Sequence, residues 1–568
     1  MKGRVFLCFT FVVSVVLLGV PQTRPAALPQ ARYEISGTLV DAVSGQPLAK
    51  ARVAISPVSE RDNFTTILTA EDGRFLFGNV TPGKYTLTAQ ARGYLLQSFN
   101  QHDQYASSIV VGPDLDSSNL LFHLPPESSI SGVVSDEAGE PVRDAQVMLY
   151  FTGLAAGSEA TRLRGQAMTN DEGAYHFGHL APGRYLVAVN AKPWYAQHSF
   201  SPVVPVTLGP DNSAIGLSVS TISTAITGPL TSMGQDLQPN PQLDVAYPIT
   251  FYAGVTDASA ATPIVLGQGE KATADVSLQP VPALHIRLTT GQSTPGKASY
   301  FMLQRRVLDG PPLPVISETR QIAPGVMEVS GIPAGHYTMR NYVAGPDGSD
   351  WTGSRDVDVT GNGEAESRDA RRYVPVKAAL QVRSGTLSGQ AFLQLSSKNT
   401  REGFTERIGS SGELVFRQGV PPGAYEVSLG AAPGFYLAGI SAEGAKVSGR
   451  TIEFRAGASV KLAISVGRGE AEVTGAALRD GKPLAGVMVV LVPSDPAHNQ
   501  VLFRRDQSDS DGTFTLPAIV PGDYSVLALE NGWKLEWTNP EVLEKFMSGA
   551  VALHARPGGK YKIKVSVQ

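Results

Sequence analysis

The sequence is poor in cysteine and in charge. Its 568 residues include one cysteine, Cys8, within the apolar N-terminal stretch. Disulfides, cysteine metal sites and thiol nucleophiles all need cysteine, so a chain that loses this stretch on export has none of them. Charged residues make up 17% of the chain and the formal net charge is −4. These values give no electrostatic basis for binding nucleic acid or an anionic membrane, so we expect stability to come from core packing.

Catalytic and metal-binding motifs are also missing from the sequence. We find no G-x-S-x-G, H-E-x-x-H or phosphate-binding loop, and the nine histidines are scattered. The pair His176 and His179 lacks a third ligand in sequence reach, which a metal site needs. The acidic run 506–511 before Gly512 lacks the closing glutamate of a calcium loop. We predict a protein that is not an enzyme and that carries no metal or cofactor.

Long apolar runs are confined to the N-terminus. Lys2 and Arg4 precede an apolar run of about 16 residues over 5–20, which is shorter than the ~20 residues of a membrane helix. We interpret residues 1–27 as a signal peptide, with an uncleaved anchor as the alternative. The expected location is secreted, extracellular or periplasmic, in association with the outer surface. We expect no membrane span once the peptide is removed.

Five copies of one short motif organise the rest of the chain. The first copy reads DGRFLFGNVTPGKY. Its Asp-Gly pair predicts a hairpin turn, and its two phenylalanines, two residues apart, face one side of a strand. Its Pro-Gly pair predicts a type II turn. The copies end at Tyr85, Tyr185, Tyr337, Tyr425 and Tyr524.

The tyrosine that ends each copy follows the second glycine by two residues. We predict that each tyrosine sits at a corner between sheets and that its hydroxyl bonds nearby backbone. The fourth copy has one extra residue near Gly419, which we interpret as a β-bulge. Five regularly spaced copies predict about five β-domains. The expected boundaries are 32–126, 127–282 with an insertion at about 201–241, 283–377, 378–467 and 468–568.

Upstream of this motif, three of the domains share further residues. The pattern I-x-G-x-V, then D-x-x-G-x-P, then A-x-V precedes the hairpin in domains one, two and five, whereas domains three and four match only the hairpin half. This combination resembles the carboxypeptidase regulatory-like family. The resemblance implies an all-β chain of seven-stranded, transthyretin-like, Greek-key β-sandwiches, a fold also grouped with carbohydrate-binding-like domains. It further implies a non-catalytic module, since this domain is an appendage in metallocarboxypeptidases.

Two relatives of this fold carry chemistry that the sequence does not match. Pilus-type Cna B modules use a glutamate soon after the tyrosine to cross-link lysine to asparagine, and no copy has glutamate four residues past its tyrosine. Transthyretin-like hydrolases end in Tyr-Arg-Gly-Ser, whereas this chain ends in Val-Ser-Val-Gln. Neither the cross-link nor that hydrolase activity is therefore implied.

Aromatic residues recur after the repeat tyrosine. Tyr94, Trp194 and Trp533 each follow it by nine residues, with Tyr195 and Trp537 close by in sequence. Exposed flat rings at a sandwich end could stack on the faces of sugars. The alternative is that these rings seal the sandwich end or pack against the neighbouring domain.

These patterns favour a secreted or envelope protein built as a rod-like or curved string of domains. The leading hypothesis is a non-catalytic protein that binds a polysaccharide or a surface partner, such as an envelope protein, through loops at the sandwich ends. The second hypothesis is a purely structural spacer or assembly protein of the envelope. The third is an accessory to a hydrolase or a cryptic hydrolase, for which the sequence names no residues.

Overall fold

The computed structural model describes residues 32–155, 157–198, 240–289, 298–323, 326–345, 348–366, 371–398 and 402–568. The predicted signal peptide and nearly all of the predicted insertion lie outside the described residues. Within them the chain is an all-β array of five sandwiches with one short α-helix. None of the described helices is both long and apolar enough to span a membrane.

The first domain is a sandwich of two sheets. Its strands are β1 (Tyr33–Asp41), β2 (Arg52–Pro57), β3 (Thr65–Leu68), β4 (Arg74–Val80), β5 (Gly83–Gln90), β6 (Gln97–Ser98), β7 (Ile109–Val111) and β8 (Leu120–Leu124). One sheet has the order β4-β1-β8, and the other has the order β3-β2-β5, where β6 and β7 both pair with β5. Without the two-residue β6, this is the predicted seven-stranded unit.

The second and third domains follow the same plan. The second has β9 (Ser128–Ser135), β10 (Gln146–Ala155), β11 (Ser158–Met168), β12 (Ala174–Leu180), β13 (Gly183–Asn190), β14 (Val245–Ala246), β15 (Thr250–Phe251), β16 (Ile264–Leu266), β17 (Lys271–Thr273), β18 (Val276–Ser277) and β19 (Val281–Pro282). The third has β20 (Leu284–Thr289), β21 (Ala298–Arg306), β22 (Pro312–Pro314), β23 (Glu318–Ala323), β24 (Val326–Ile332), β25 (Gly335–Gly345), β26 (Gly348–Val359), β27 (Gly363–Glu366) and β28 (Arg371–Arg372).

The fourth and fifth domains complete the array. The fourth has β29 (Val374–Val382), β30 (Phe392–Ser397), β31 (Gly403–Arg407), β32 (Glu413–Val420), β33 (Gly423–Gly430), β34 (Phe435–Glu443), β35 (Lys446–Ser448), β36 (Thr451–Phe454) and β37 (Val460–Arg468). The fifth has β38 (Ala471–Arg479), β39 (Lys482–Pro483), β40 (Met488–Pro493), β41 (Arg504–Gln507), β42 (Thr513–Ile519), β43 (Gly522–Leu529), β44 (Val551–Ala555) and β45 (Lys560–Ser566). Because β29 begins at Val374, the boundary expected at 377/378 falls inside a strand.

The first strand of every domain pairs on both sides. It is antiparallel to the first strand of the repeat hairpin, as β1 is to β4, and parallel to the closing strand, as β1 is to β8. The same pattern holds for β9, β20, β29 and β38. Parallel neighbours need a crossover connection rather than a tight hairpin. The chain therefore crosses to the second sheet and returns, as the Greek-key prediction requires.

The hairpin glycine and the D-x-x-G-x-P turn contact each other. Gly73 has φ 75°, and a Cβ added there would lie 2.8 Å from the Cβ of Pro47. A side chain therefore fits neither the backbone conformation nor the space. The same pair recurs as Gly173 with Pro141 and as Gly512 with Pro483. The two sequence motifs are thus one structural unit.

The repeat tyrosines form the predicted corners. All five rings are buried. In four copies the hydroxyl donates to the carbonyl oxygen four residues earlier, as Tyr185 does to Ala181 at 2.7 Å and Tyr524 to Val520 at 2.7 Å. Each bond fixes the loop that joins the two strands of the hairpin. The prediction that this hydroxyl bonds nearby backbone is confirmed.

The type II turn predicted for the Pro-Gly pair is wrong. Gly83 has φ 156°, far from the value of about +80° that such a turn needs. The left-handed residue lies six positions before each tyrosine instead, at Asn79, His179, Gly331, Gly419 and Ala518. The register shifts at this point in every domain, so the bulge predicted near Gly419 is a general feature. The fourth copy accommodates its extra residue there.

One helix was predicted over 540–547, and the structure has a shorter one. Helix α1 (Pro540–Glu544) begins after Asn539, whose side chain accepts from the N–H of Glu541. A 3-10 turn at Met547–Gly549 replaces its expected last turn. Further 3-10 turns occur at Ala258–Ala260, Gln500–Leu502 and Gly532–Lys534.

The domains form a closed arrangement rather than the predicted open string. Contacts join neighbours, as between Arg340 and Glu402 of the third and fourth domains. The first domain also contacts the fifth: the N–H of Ser510 donates to the carbonyl of Ser108 at 3.0 Å. The residues that make this contact are some 400 positions apart in sequence. No local pattern reports such a contact, which is why the sequence did not predict it.

Candidate binding surfaces

Trp194 is the one predicted binding aromatic that lies largely in solvent. Its exposed fraction is 88%, and its ring meets that of Tyr195 edge-on at a centroid distance of 5.8 Å. The hydroxyl of Tyr195 donates to one carboxylate oxygen of Glu137, and that of Tyr247 donates to the other at 2.8 Å. Burial opposes ionisation, but these two hydrogen bonds hold the pKa of Glu137 below its ordinary value. We call Trp194, Tyr195 and Glu137 the Trp194 platform.

Tyr94 occupies the corresponding place in the first domain but is half-buried. Its hydroxyl donates to Oδ2 of Asp41 at 2.8 Å, and its backbone pairs with Pro126 in the linker to the next domain. Burial, followed by the hydrogen bond and charge of Asp41, raises the pKa of Tyr94 to about 12. Tyr94 therefore ties the turn of Asp41 to the end of its own domain.

The aromatic residues of the fifth domain surround one arginine. The guanidinium of Arg505 lies 4.1 Å from the ring centroid of Trp537 and 5.8 Å from that of Trp533. From the first domain, the ring of Tyr105 lies 4.9 Å away and Oδ2 of Asp103 lies 3.3 Å away. Only 9% of the Arg505 side chain is exposed. We call these five residues the Arg505 clamp.

A cleft opens beside this clamp. It has a volume of about 1190 Å³ and lies where the first, second and fifth domains meet. We call it the junction cleft, and its charged lining residues are Arg61, Lys84, Asp103, Arg162, Arg504, Arg505, Asp506 and Asp509. Sequence reasoning missed it because its walls come from three distant segments.

The charges in the junction cleft are only partly paired. Lys84 lies 2.5 Å from Asp509, and Arg505 pairs with Asp103. Arg504 donates to backbone carbonyls, among them that of Ala518 at 3.1 Å. Among the described residues, Arg61 and Arg162 have no carboxylate within 4.0 Å; Arg162 lies over the ring of Phe151 at 5.6 Å instead. The cleft is therefore positively charged.

Asp506 lies in the same cleft with an unusual acidity. Burial raises its pKa to about 6 from an ordinary 3.8, and the charge of Asp509 adds to the rise. The N–H of Thr515, which donates to Oδ2 at 2.7 Å, acts in the opposite direction. The carboxyl of Asp506 thus titrates near neutral pH, where an ordinary aspartate is fully ionised.

Replacing Asp506 by asparagine is expected to stabilise the protein in a pH-dependent way. A carboxyl whose pKa is raised on folding costs stability once it must ionise, so the penalty grows between about pH 4 and pH 6 and then levels off. Asp506→Asn should therefore match the parent near pH 3.5. Above pH 7 it should be more stable by about 1–2 kcal/mol, allowing for partial exposure.

Urea unfolding at a series of pH values checks the expectation for Asp506. The control is Asp506→Ala, which also loses the acceptor for the Thr515 N–H and should be less stable than the asparagine variant by about 1 kcal/mol at every pH. A constant difference between Asp506→Asn and the parent across this range contradicts the raised pKa.

A second titratable cluster joins the second and third domains. Nδ1 of His198 and Nε2 of His285 lie 2.9 and 2.8 Å from the two oxygens of Asp244. Nδ1 of His285 faces Oε1 of Glu328 at 3.5 Å. The imidazole of His198 also covers Gly331, where a Cβ would lie 2.6 Å from its Nε2. The adjoining cavity is only about 30 Å³, so this cluster is a structural contact between domains.

The residues that the sequence analysis weighed as metal ligands make other contacts. His176 meets Oγ of Ser131 at 2.9 Å, and His179 meets Glu127. In the acidic run, Oδ1 of Asp509 accepts from the N–H of Ser108 at 2.8 Å. Within the ranges that the structure covers, no three His, Cys, Asp or Glu side chains form a group that could hold a metal ion.

The fold and these surfaces define a multi-domain β-sandwich protein. The family model "Carboxypeptidase regulatory-like domain" matches residues 34–114 and 129–214. The model "BOS complex subunit NOMO1-like, second beta sandwich domain" matches residues 472–553. The chain therefore contains two carboxypeptidase regulatory-like domains and a related fifth domain, which confirms the resemblance in the sequence. A comparison with the curated proteins finds no match.

Several solved structures share a distant likeness with this chain. The Bacillus anthracis TIE protein is 11% identical, with 96% of this chain and 76% of that chain covered and a TM-score of 0.17. GBS52, the minor pilin of Streptococcus agalactiae, is 9% identical, with 44% and 97% covered and a TM-score of 0.21. Two B repeat units of the collagen binding protein of Staphylococcus aureus are 9% identical, with 94% and 99% covered and a TM-score of 0.13. Scores this low support no argument about function.

Proposed function

We propose that this protein is a non-catalytic, extracellular or envelope-associated protein that binds a polysaccharide at the Trp194 platform. The observation that carries the proposal is the 88% exposure of the Trp194 indole beside a second ring. A large flat ring left in water is costly, and a sugar face that covers it returns that free energy. Hydrogen bonds to Glu137 hold the neighbouring Tyr195 in place, so little ordering is required on binding.

The non-catalytic part of the proposal is supported by the contacts of the reactive side chains. The imidazoles and carboxylates that came nearest to a site in the sequence join turns, strands and domains, as His179 does with Glu127 and Asp509 with Lys84. The extracellular part rests on the predicted signal peptide and on the β-sandwich domain type.

A structural spacer or assembly protein is the second candidate. It is favoured by the packing of the other predicted aromatics, because Tyr94 and Trp537 are engaged within the protein and Trp533 stacks on His102 of the first domain. For this candidate the rings hold the closed arrangement together and bind no ligand.

Binding to a glycan array by the parent and by Trp194→Ala separates the two candidates. We expect the parent to bind at least one glycan and Trp194→Ala to bind it about tenfold more weakly, a loss of about 1.4 kcal/mol. Phe64→Ala, which removes another exposed ring from the first domain, is the matched control and should bind like the parent. Flat titrations of the parent against every glycan would leave the spacer as the better reading.

A further inference from the structure

The junction cleft is walled by a sheet face and not by a free strand edge on the side of the first domain. Strands β2 and β5 alternate between core and surface, so that Ile55 and Leu87 are buried while Ser56 and Thr86 point outward into the cleft. Ser98 of the next strand adds a third hydroxyl. This wall offers hydrogen bonds from side chains, whereas an extended peptide is usually held by an open strand edge.

The charge in the cleft points to an anionic ligand. Five cationic and three acidic residues line it. Two of the acidic residues, Asp103 and Asp509, are already paired with Arg505 and Lys84. The exposed Arg61 and Arg162 face the cleft from two different domains without a carboxylate partner among the described residues. Guanidinium groups that are free to bind carboxylates or sulfates in bidentate fashion suit such ligands.

We propose that the junction cleft is a second binding site and that it takes an acidic oligosaccharide. Carboxylates or sulfates of the sugar bind Arg61 and Arg162, and the charge of Arg504 adds to the attraction. The sugar hydroxyls bond to the hydroxyl wall of the first domain. The cleft volume of about 1190 Å³ exceeds the ~300–1,000 Å³ of a typical small-molecule pocket, so it accommodates several sugar units. This site is separate from the Trp194 platform and does not depend on it.

The acidity of Asp506 gives the cleft a pH dependence. Its carboxyl faces Asp509 and Lys84, and Arg504 and Arg505 flank it in the same strand. Below about pH 6 the carboxyl is neutral and no longer repels an anion. Binding of an acidic sugar is therefore expected to tighten as the pH falls through 6 in the parent and to lose this dependence in Asp506→Asn.

Titration calorimetry of the full chain with an oligogalacturonate of about six sugars tests the site. The parent should bind this probe, and added salt should weaken the binding. Arg61→Ala with Arg162→Ala should raise the Kd about tenfold or more. Lys562→Ala with Lys564→Ala removes two exposed cations from β45, away from the cleft, and should change the Kd less than about twofold. Both pairs are exposed, so each double variant should keep the fold.

Three further arms make the result decisive. The methyl-esterified form of the same sugar, which has no charge, should not bind in the cleft. Poly-glutamate that binds as tightly as the uronate would overturn the assignment to a saccharide. If Trp194→Ala abolishes uronate binding while Arg61→Ala with Arg162→Ala leaves it unchanged, the sugar binds at the platform and the cleft is not a site. Failure of the parent to bind the uronate also overturns the proposal, whatever the glycan array shows for the platform.

Discussion

Replacing Arg505 by alanine is expected to separate the first domain from the fifth. The guanidinium lies 4.1 Å from the ring of Trp537 and 4.9 Å from that of Tyr105, and it pairs with Asp103 at 3.3 Å. Since only 9% of this side chain is exposed, its charge is well shielded from water. Removing one partner of a shielded pair, together with two cation–π contacts, costs about 2–4 kcal/mol. The remaining contacts across the interface are polar, and such interfaces separate readily.

Small-angle X-ray scattering measures this opening, because the closed arrangement has a smaller maximum dimension than an open string of the same domains. We expect a larger maximum dimension for Arg505→Ala than for the parent. Arg505→Lys keeps the charge but loses the planar group that stacks on the rings, so it should give an intermediate result. Tyr105→Ala is the control from the other side of the interface, and it should open the arrangement without affecting the fifth domain's own core. Unchanged scattering for both alanine variants would show that the clamp does not hold the closure.

The Arg505 clamp also shows where sequence reasoning stops. The repeat tyrosines were predicted correctly because each corner is a local event: the hydroxyl of Tyr185 reaches a carbonyl only four residues away. Arg505 and Tyr105 are 400 positions apart, and neither stands in a pattern that marks it as a contact. The same reason explains why Trp194 and Trp533 follow their tyrosines by the same nine residues yet end in solvent and in an interface respectively.

The wrong turn type has a more instructive cause. Proline followed by glycine suits a type II turn, and the argument considered only those two residues. The strands are instead turned by a bulge that begins at a left-handed residue, Asn79 in the first domain, and this leaves Gly83 nearly extended. Aligning the five copies places Asn, His, Gly, Gly and Ala at that position. Asparagine and glycine tolerate φ > 0, so three of the five copies carried the signal.

Replacing Gly37 by alanine is expected to destabilise the first domain more than any other single-methyl addition considered for it. A Cβ built at Gly37 would lie 2.2 Å from the carbonyl oxygen of Leu120, on the closing strand that pairs with β1 in parallel. Both atoms belong to hydrogen-bonded backbone, so neither can move without breaking the ladder. The same clash occurs at Gly132 with Ala274 and at Gly475 with Ile563, so the glycine of the I-x-G-x-V pattern marks where the closing strand approaches.

The expected loss for Gly37→Ala is about 3 kcal/mol, at the upper end of the cost of overpacking. Urea unfolding measured through the first domain checks it. Gly78→Ala is the matched control, because this glycine lies in β4 of the same domain and a Cβ there would have no atom within 4 Å. That variant should unfold within about 0.5 kcal/mol of the parent. Equal midpoints for the two variants would mean that the closing strand is not held against Gly37, and the parallel pairing that defines every domain of this chain would then be in error.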